Sequence, residues 1–243
     1  MVFFINLIIL LLVIGLIISK EPVKSNEKNF NYLILVNKEY KIPDDYLSEV
    51  DLIVVENFLR EKKNHTIEKM TYQYFCELKN DLKEEDNITI ELDSVYRSVE
   101  RQQEIWDEFV KEKGIDYTRK YVAQPGYSEH HTGLAVDICL RINGTIVDDN
   151  DEMISQTEIF SKIHKKLPKY GFILSFLKGK EDITGYNYEP WHLRFVTTKY
   201  SNDITEKGIT LEEFLGKIPK KDSGNYINYS YSLFFILILL ILI

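Results

Sequence analysis

The chain has 243 residues with a formal net charge of −8, and 44% of its residues are hydrophobic. This length and hydrophobic content predict one globular domain with a real core, plus flanking segments. The acidic balance excludes a nucleic-acid-binding protein, which would need a basic face.

The N-terminus is apolar from Val2 to Ile18, interrupted only by Asn6 and Gly15, and no charge precedes Lys20. Such a run indicates a signal peptide or an N-terminal membrane anchor more than a buried core helix. Because no small-x-small cleavage site follows, an uncleaved anchor is favoured. We therefore expect an exported protein, either membrane-anchored or on the extracellular face of the cell membrane.

The C-terminus is apolar as well. The eleven residues from Leu233 to Ile243 are too few to cross about 30 Å of hydrocarbon as a helix. Behind a polar spacer, they fit either a lipid-anchor attachment signal in a eukaryotic host or a tail that dips into the membrane. The predicted organisation is a signal or anchor at 1–19, a linker at 20–31, a globular domain at 32–215, a spacer at 216–230 and an apolar tail at 231–243.

The first half of the globular domain predicts two helices and a strand between them. Thr66 is expected to cap a helix, and residues 81–86 to form a charged turn. The second helix is expected to begin after Ser98 and to end at Gly114, with a loop from Gly114 to Gly126. The apolar residues at helical or alternating spacing are Ile67, Met70, Tyr74, Leu78 and Leu82 for the first helix, Ile88, Ile90 and Leu92 for the strand, and Ile105, Trp106, Phe109 and Val110 for the second helix.

The central stretch runs from Tyr127 to Asp137. His130 and Asp137 are seven residues apart and share no helical face, so a tight turn at Thr132-Gly133 would have to bring them together. The apolar residues from Leu134 onward alternate with a period of two, which predicts a strand with Asp137 on the face opposite Val136. A helix over 155–167 and strands from Phe172 and over 191–196 complete the prediction.

The second stretch of interest runs from Glu189 to Arg194. Glu189 and His192 are three residues apart, so one can bind a metal while the other reaches a water molecule beside it. With His130 and Asp137, this gives two imidazoles, one aspartate and one free glutamate, the residues of a catalytic zinc site with one open position. The competing interpretation is that each histidine is only a satisfied polar residue. We apply that interpretation to His65 and His131, and expect His164 to be a solvated helix residue.

Together these residues resemble the signature of the VanY-type D-alanyl-D-alanine carboxypeptidases, zinc peptidases related to VanX dipeptidases and to the hedgehog fold. The residues that carry the resemblance are Ser128, His130, Gly133, Ala135 and Asp137, followed by Glu189, Pro190, Trp191 and His192. Further similarity lies at Leu35–Lys38, Pro43–Tyr46, Tyr96–Ser98, Gln124–Tyr127, Lys169–Phe172 and Ile183–Tyr186, so that the resemblance covers about residues 32–200.

The resemblance implies an α+β fold, a small antiparallel sheet with helices on one face and a zinc cleft on the other. It implies one Zn²⁺ ion held by His130, Asp137 and His192, with Glu189 as the base. Arg97 matches an arginine that would stabilise the oxyanion or clamp substrate oxygens, although it could instead form a buried ion pair. Four further residues match polar positions or could line the substrate cleft: Ser128, Gln124, Gln102 and Tyr186.

The implied function is removal of the C-terminal D-alanine from peptidoglycan stem peptides or other D-amino-acid-terminated peptides. An L,D-carboxypeptidase, a D,D-dipeptidase and an endopeptidase share this chemistry and stay open as alternatives. A zinc-binding module without catalysis is a further alternative, as is a structural membrane-tethered protein. The membrane is expected as a partner through the apolar termini.

Overall fold

The computed structural model describes residues 30–55 and 65–218. The predicted N-terminal segment, most of the linker, most of the spacer and the apolar tail lie outside these residues. From Tyr32 onward the described residues belong to one unit. Among its described helices, none has both the length and the apolar character that crossing a membrane requires.

Two antiparallel sheets and eight α-helices make up the described part. The strands are β1 (Leu52–Val55), β2 (His65–Glu68), β3 (Ile90–Ser94), β4 (Ala135–Ile142), β5 (Thr145–Val147), β6 (Phe172–Leu174) and β7 (His192–Phe195). The helices are α1 (Lys69–Asp86), α2 (Val99–Lys113), α3 (Ile115–Tyr121), α4 (Asn150–Ser155), α5 (Thr157–Lys166), α6 (Glu181–Thr184), α7 (Thr198–Lys207) and α8 (Leu211–Phe214). Short 3-10 helices cover Tyr46–Ser48, Glu129–Thr132 and Leu167–Tyr170.

The larger sheet has the strand order β3-β4-β7-β6, and β5 pairs with the end of β4. In the antiparallel pairing of β4 with β7, Asp137 lies directly opposite His192. On the other side of β4, Ser94 is paired with Asp137 across an irregularity in β3. The β4–β7 register therefore brings together Asp137 and His192, which are 55 positions apart in the chain. The smaller sheet consists of β1 and β2.

The helix α1 differs from its prediction at both ends. Thr66 lies in β2 instead of capping the helix, and the carboxylate of Glu68 accepts hydrogen bonds from the backbone of Met70 and Thr71. The predicted charged turn after Asp81 is helical because α1 continues to Asp86. The Asp81 carboxylate accepts from Lys166, Lys169 and Tyr170, so this charge pairs with α5 and the turn after it instead of interrupting the helix.

The helix α2 begins as predicted, because the Ser98 hydroxyl accepts from the backbone of Arg101, and it ends at Gly114. Its apolar stripe is only half-buried, since Ile105 and Phe109 face a cleft. The predicted loop after Gly114 instead contains α3. Around the sheet, the core includes buried side chains from α1, α5 and the strands, among them Phe75, Leu78, Phe160, Ile163, Leu140 and Phe195.

The turn before β4 depends on Gly133, which has a left-handed φ of 69°. A Cβ atom there would lie 2.7 Å from Leu52 Cδ2 and 3.2 Å from the backbone nitrogen of Glu68. Gly208 also has a positive φ, of 60°, but a Cβ atom there would meet nothing within 4 Å. Substitution of each glycine by alanine therefore distinguishes the cost of crowding, present only at Gly133, from the cost of backbone strain, present at both.

We expect Gly133→Ala to lower the free energy of unfolding by more than Gly208→Ala. Both changes carry left-handed strain of about 1–2 kcal/mol, and crowding adds about 1–3 kcal/mol at Gly133 only. Urea unfolding of the two variants, compared with the unmodified chain, measures the difference. Equal losses would show that Gly133 is not closely packed.

Candidate active site

His130 is oriented by the short 3-10 helix in which it lies. The Ser128 hydroxyl caps this helix by accepting from the His130 backbone at 3.3 Å. The His130 ring donates from Nδ1 to the carbonyl oxygen of Val95 at 2.8 Å. This hydrogen bond leaves Nε2 without a proton in the neutral ring, 3.0 Å from Asp137 Oδ2.

His192 approaches the same aspartate from the other side. Its Nδ1 atom lies 2.9 Å from Asp137 Oδ1, as the β4–β7 register requires. One ligand atom from each of His130, Asp137 and His192 lies within 4.8 Å of the other two. Two imidazole nitrogens and a carboxylate oxygen are a donor set that suits zinc. These residues therefore fit the predicted metal, and their side chains are nearly all inaccessible to solvent.

Charged partners and hydrogen bonds outweigh burial in setting the pKa of Asp137 and His192, but not that of His130. Burial alone would raise the pKa of Asp137 and lower that of His192. For Asp137, the two histidines reverse this effect and hold its pKa well below the usual range. For His192, hydrogen bonds to Asp137 and Glu129 raise the pKa to about 10. Burial lowers the pKa of His130.

Glu129 is a functional residue that the sequence reasoning missed. Its Oε2 atom accepts from His192 Nε2 at 2.9 Å and from the Ser175 hydroxyl at 2.6 Å. Its Oε1 atom accepts from Arg194 at 3.0 Å. Burial alone would raise the pKa of Glu129, but His192 and Arg194 lower it to about 2. Glu129 thus fixes the tautomer and the ring orientation of His192, with Nδ1 facing Asp137.

Arg194 anchors this carboxylate, and its side chain is 0% exposed. Its other nitrogens donate to the backbone carbonyls of Tyr32, Ile34 and Phe195. A signal was present in the sequence, because Arg194 is the only charged residue between His192 and Val196 in an otherwise apolar strand. A lone cation in such a strand needs a buried carboxylate partner.

A cleft of about 320 Å³ opens beside the three donor residues. The predicted site residues that line it are His130, Asp137, His192, Glu189, Arg97, Ser128, Gln102 and Tyr186. Gln124 is not among them, because it points to a neighbouring pocket of about 230 Å³. The structure therefore brings eight of the nine predicted site residues to one cavity.

Glu189 has no hydrogen bond or ion pair for its carboxylate within the described residues. Burial raises its pKa to about 7, which suits a group that must take up and release a proton near neutral pH. The segment that carries it is supported by His164, whose ring contacts the Pro190 carbonyl oxygen at 2.9 Å. His164 is therefore half-buried and partnered, and its prediction as a solvated residue was wrong.

Arg97 is held in the cleft by two polar side chains. It donates to Gln102 Oε1 at 2.8 Å and to the Ser94 hydroxyl at 2.9 Å, and lies 4.0 Å from Asp137. Gln102 is fully buried and also donates to the Ala123 carbonyl oxygen at 2.7 Å. Gln102 thus positions Arg97, in addition to lining the cavity. His131 is structural as predicted, since its ring nitrogens contact Gly126 and Arg97 backbone atoms.

Tyr186 presents its hydroxyl without a partner. The residue is 7% exposed, and within the described residues the hydroxyl oxygen has no hydrogen bond. An unsatisfied buried hydroxyl carries a free-energy cost of about 1–3 kcal/mol. Tyr186 also lines the cleft, so we expect a bound ligand to supply the partner of this hydroxyl.

The fold and this site define a class of protein. The site contains two imidazoles and an aspartate around one point, an unpaired glutamate and an anchored arginine. These are the components of a zinc metallopeptidase.

Comparison with known proteins supports this class. A family model described as VanY, D-alanyl-D-alanine carboxypeptidase, matches residues 64–198. The chain belongs to this family. The Bacillus subtilis protein YodJ is 38% identical over 192 residues, which make up 78% of this chain and 69% of that protein. An Enterococcus faecalis D-alanyl-D-alanine carboxypeptidase is 35% identical over 194 residues, which make up 75% of this chain and 65% of that protein.

Solved structures agree with the family. A zinc-bound vancomycin-resistance D,D-pentapeptidase VanY superposes with a TM-score of 0.62 at 32% identity, covering 76% of this chain and 99% of that one. The L,D-carboxypeptidase LdcB gives a TM-score of 0.64 at 36% identity, covering 78% and 88%. The predicted α+β fold, the zinc cofactor and the carboxypeptidase class are thereby confirmed. The individual roles of the site residues stay predictions.

We expect Glu129→Gln to weaken zinc binding by about 10- to 100-fold, the usual effect of losing a partner that orients a metal-binding histidine. The amide keeps the size of the side chain but removes the charge that holds His192 and balances Arg194. Competition with a chromogenic chelator measures the zinc dissociation constant.

The matched control is Glu68→Gln, which alters another buried carboxylate that caps α1 and touches none of the three donor residues. This control should lower the unfolding temperature and leave zinc affinity unchanged. An unchanged zinc dissociation constant in Glu129→Gln would contradict the positioning role.

Proposed function

We propose that this chain hydrolyses the peptide bond before the C-terminal D-alanine of peptidoglycan stem peptides. The observation that carries the proposal is the unpaired carboxylate of Glu189 in the same cleft as the three donor residues. A zinc-binding module without catalysis needs no base, so this arrangement favours an enzyme over that alternative.

In the proposed mechanism, His130, Asp137 and His192 would hold the zinc ion. When bound, zinc supplies Lewis-acid activation of a water molecule and of the scissile carbonyl. Glu189 takes a proton from the attacking water and later delivers it to the leaving amine. The water oxygen forms a bond to the carbonyl carbon, the carbon–nitrogen bond breaks, and the products are a shortened peptide and free D-alanine.

Arg97 is the proposed stabiliser of the negative charge that develops on the carbonyl oxygen. Its position is fixed in advance by Gln102 and Ser94, so little reorganisation is needed when that charge appears. The same guanidinium can instead clamp the terminal carboxylate of the substrate. The unpaired hydroxyl of Tyr186 and the hydroxyl of Ser128 are the proposed polar contacts to the rest of the bound residue.

The choice of D-alanine as the residue removed is supported by a relative and a family model that are both described as D-alanyl-D-alanine carboxypeptidase. A second candidate is L,D-carboxypeptidase activity on tetrapeptides, which is favoured by the equally strong structural similarity to LdcB. Both candidates use the same cleft and the same Glu189. They differ in the residue that precedes the scissile bond.

We also propose that the enzyme is exported and acts at the membrane. The apolar segment from Val2 to Ile18 supports export, and the substrate class is found outside the cytoplasm. Membrane contact through this segment or through the apolar tail from Leu233 belongs to the same proposal.

We expect Glu189→Gln to lower kcat on a stem pentapeptide by about 10²- to 10⁴-fold, since the amide cannot take up a proton. Zinc content should stay at about one ion per chain, because Glu189 is not one of the three donor residues. Steady-state kinetics and metal analysis of the same preparation measure both quantities.

The control is Glu206→Gln, a change of equal charge at an exposed position of α7, which should retain full kcat. If Glu189→Gln kept more than a tenth of the native kcat, Glu189 would not be the base.

A further inference from the structure

A second pocket, which we call the annex, adjoins the catalytic cleft. It has a volume of about 230 Å³ and shares Val122 and Tyr127 with the cleft as a common wall. Its lining residues are Lys38, Trp106, Arg119, Val122, Gln124 and Tyr127. The annex is therefore a direct neighbour of the catalytic cleft.

The two cavities have opposite charge. The catalytic cleft is lined by the carboxylates of Asp93, Glu129, Asp137 and Glu189, with Arg97 as its only guanidinium. The charged residues of the annex are Lys38 and Arg119, and no carboxylate lines it. In a chain with a net charge of −8, a pocket that exposes only cations is a specific feature of its surface.

Arg119 is available to a ligand. Within the part of the chain that the structure describes, its guanidinium makes no hydrogen bond and no ion pair, and the Gln124 side chain likewise has no partner. The aromatic ring of Trp106 and the side chain of Val122 provide apolar walls beside these polar groups. A planar guanidinium with free donors binds a carboxylate through two parallel hydrogen bonds.

Lys38 fixes the position of the annex relative to the cleft. Its ammonium group donates to the carbonyl oxygens of Arg119, at 3.2 Å, and Gly185. It also lies 4.3 Å from the ring centre of Tyr186, which lines the catalytic cleft. Lys38 therefore ties α3 to the segment before Glu189 and adds a positive charge between the two cavities.

We propose that the annex binds a second carboxylate of the substrate, on a residue upstream of the scissile bond, with Arg119 as the principal contact. This inference rests on the proposed function, because it identifies a substrate class for the same cleft. The preferred substrates are peptides whose upstream residues keep a free carboxylate, and amidation of that carboxylate weakens their binding.

The terminal carboxylate of the substrate belongs in the catalytic cleft instead. It lies one residue from the bond that is cut, so it must stay near Arg97 and the unpaired Tyr186 hydroxyl. An upstream residue lies farther along the peptide, so its carboxylate is the one that the neighbouring annex would receive. Arg119 thus serves a carboxylate other than the terminal one.

The test compares two peptides that end in D-Ala-D-Ala and differ at one group. One is acetyl-γ-D-Glu-L-Lys-D-Ala-D-Ala, which has a free α-carboxylate on its D-glutamyl residue, and the other carries the amide at that position. We expect the native full-length enzyme to show a kcat/KM about tenfold higher for the carboxylate peptide, mainly through KM. The ratio should fall as ionic strength rises, because the annex is open to solvent.

We expect Arg119→Gln to reduce this ratio to less than about twofold by raising the KM of the carboxylate peptide. Arg101→Gln is the control, since it removes an equal charge from an exposed arginine that pairs with Glu104 outside both cavities. It should keep the native ratio. Zinc content and the circular dichroism spectrum of each variant establish that the fold is intact.

Three results would overturn the inference. The first is a native ratio near one, and the second is a ratio that survives in Arg119→Gln with KM unchanged for both peptides. The third is an equal rise in KM for both peptides in Arg119→Gln, which would place the terminal carboxylate in the annex. If the native enzyme cut neither peptide, the proposed function itself would fail, and this outcome is distinct from all three.

Discussion

The active site depends on the buried carboxylate of Glu129, held between Arg194 and His192. The side chains of Glu129 and Arg194 are 8% and 0% exposed, so removing either partner would leave an uncompensated buried charge, at a cost of about 3–5 kcal/mol. Arg194 also binds the backbone of residues 32–34. One ion pair therefore connects the start of the domain, β7 and the turn that carries His130.

Strand register provides the other half of the site. The pairing of β4 with β7 places Asp137 opposite His192, and the turn at Gly133 returns His130 to the same point. The segment after α6 then brings Glu189 into the cleft, supported by the contact of His164 with Pro190. Residues from three distant parts of the chain thus form one cavity on a small antiparallel sheet, and the neighbouring annex is lined by cations instead of carboxylates.

The sequence alone predicted the metal-site residues and the proposed base, but it did not predict the residues that orient them. The alternation after Leu134 predicted β4, and the residue types at His130, Asp137 and His192, together with the resemblance to the carboxypeptidase family, predicted the metal site. Glu129 was missed because its partners lie 46 to 65 positions away. The predicted charged turn from Asp81 was wrong for the same reason, because its partners lie in α5 and the turn after it. The predicted cap of α1 was wrong for a local reason, since Glu68 and not Thr66 accepts from the first backbone amides of the helix. Gln124 matched a motif, but its side chain faces the annex.

The most direct test of the account is to give the purified full-length protein a stem pentapeptide and follow the products by mass. The account predicts loss of one alanine, abolished by a chelator and restored by about one equivalent of zinc. Turnover that a chelator does not affect, or a protein that binds no zinc and cuts neither pentapeptide nor tetrapeptide, would contradict it.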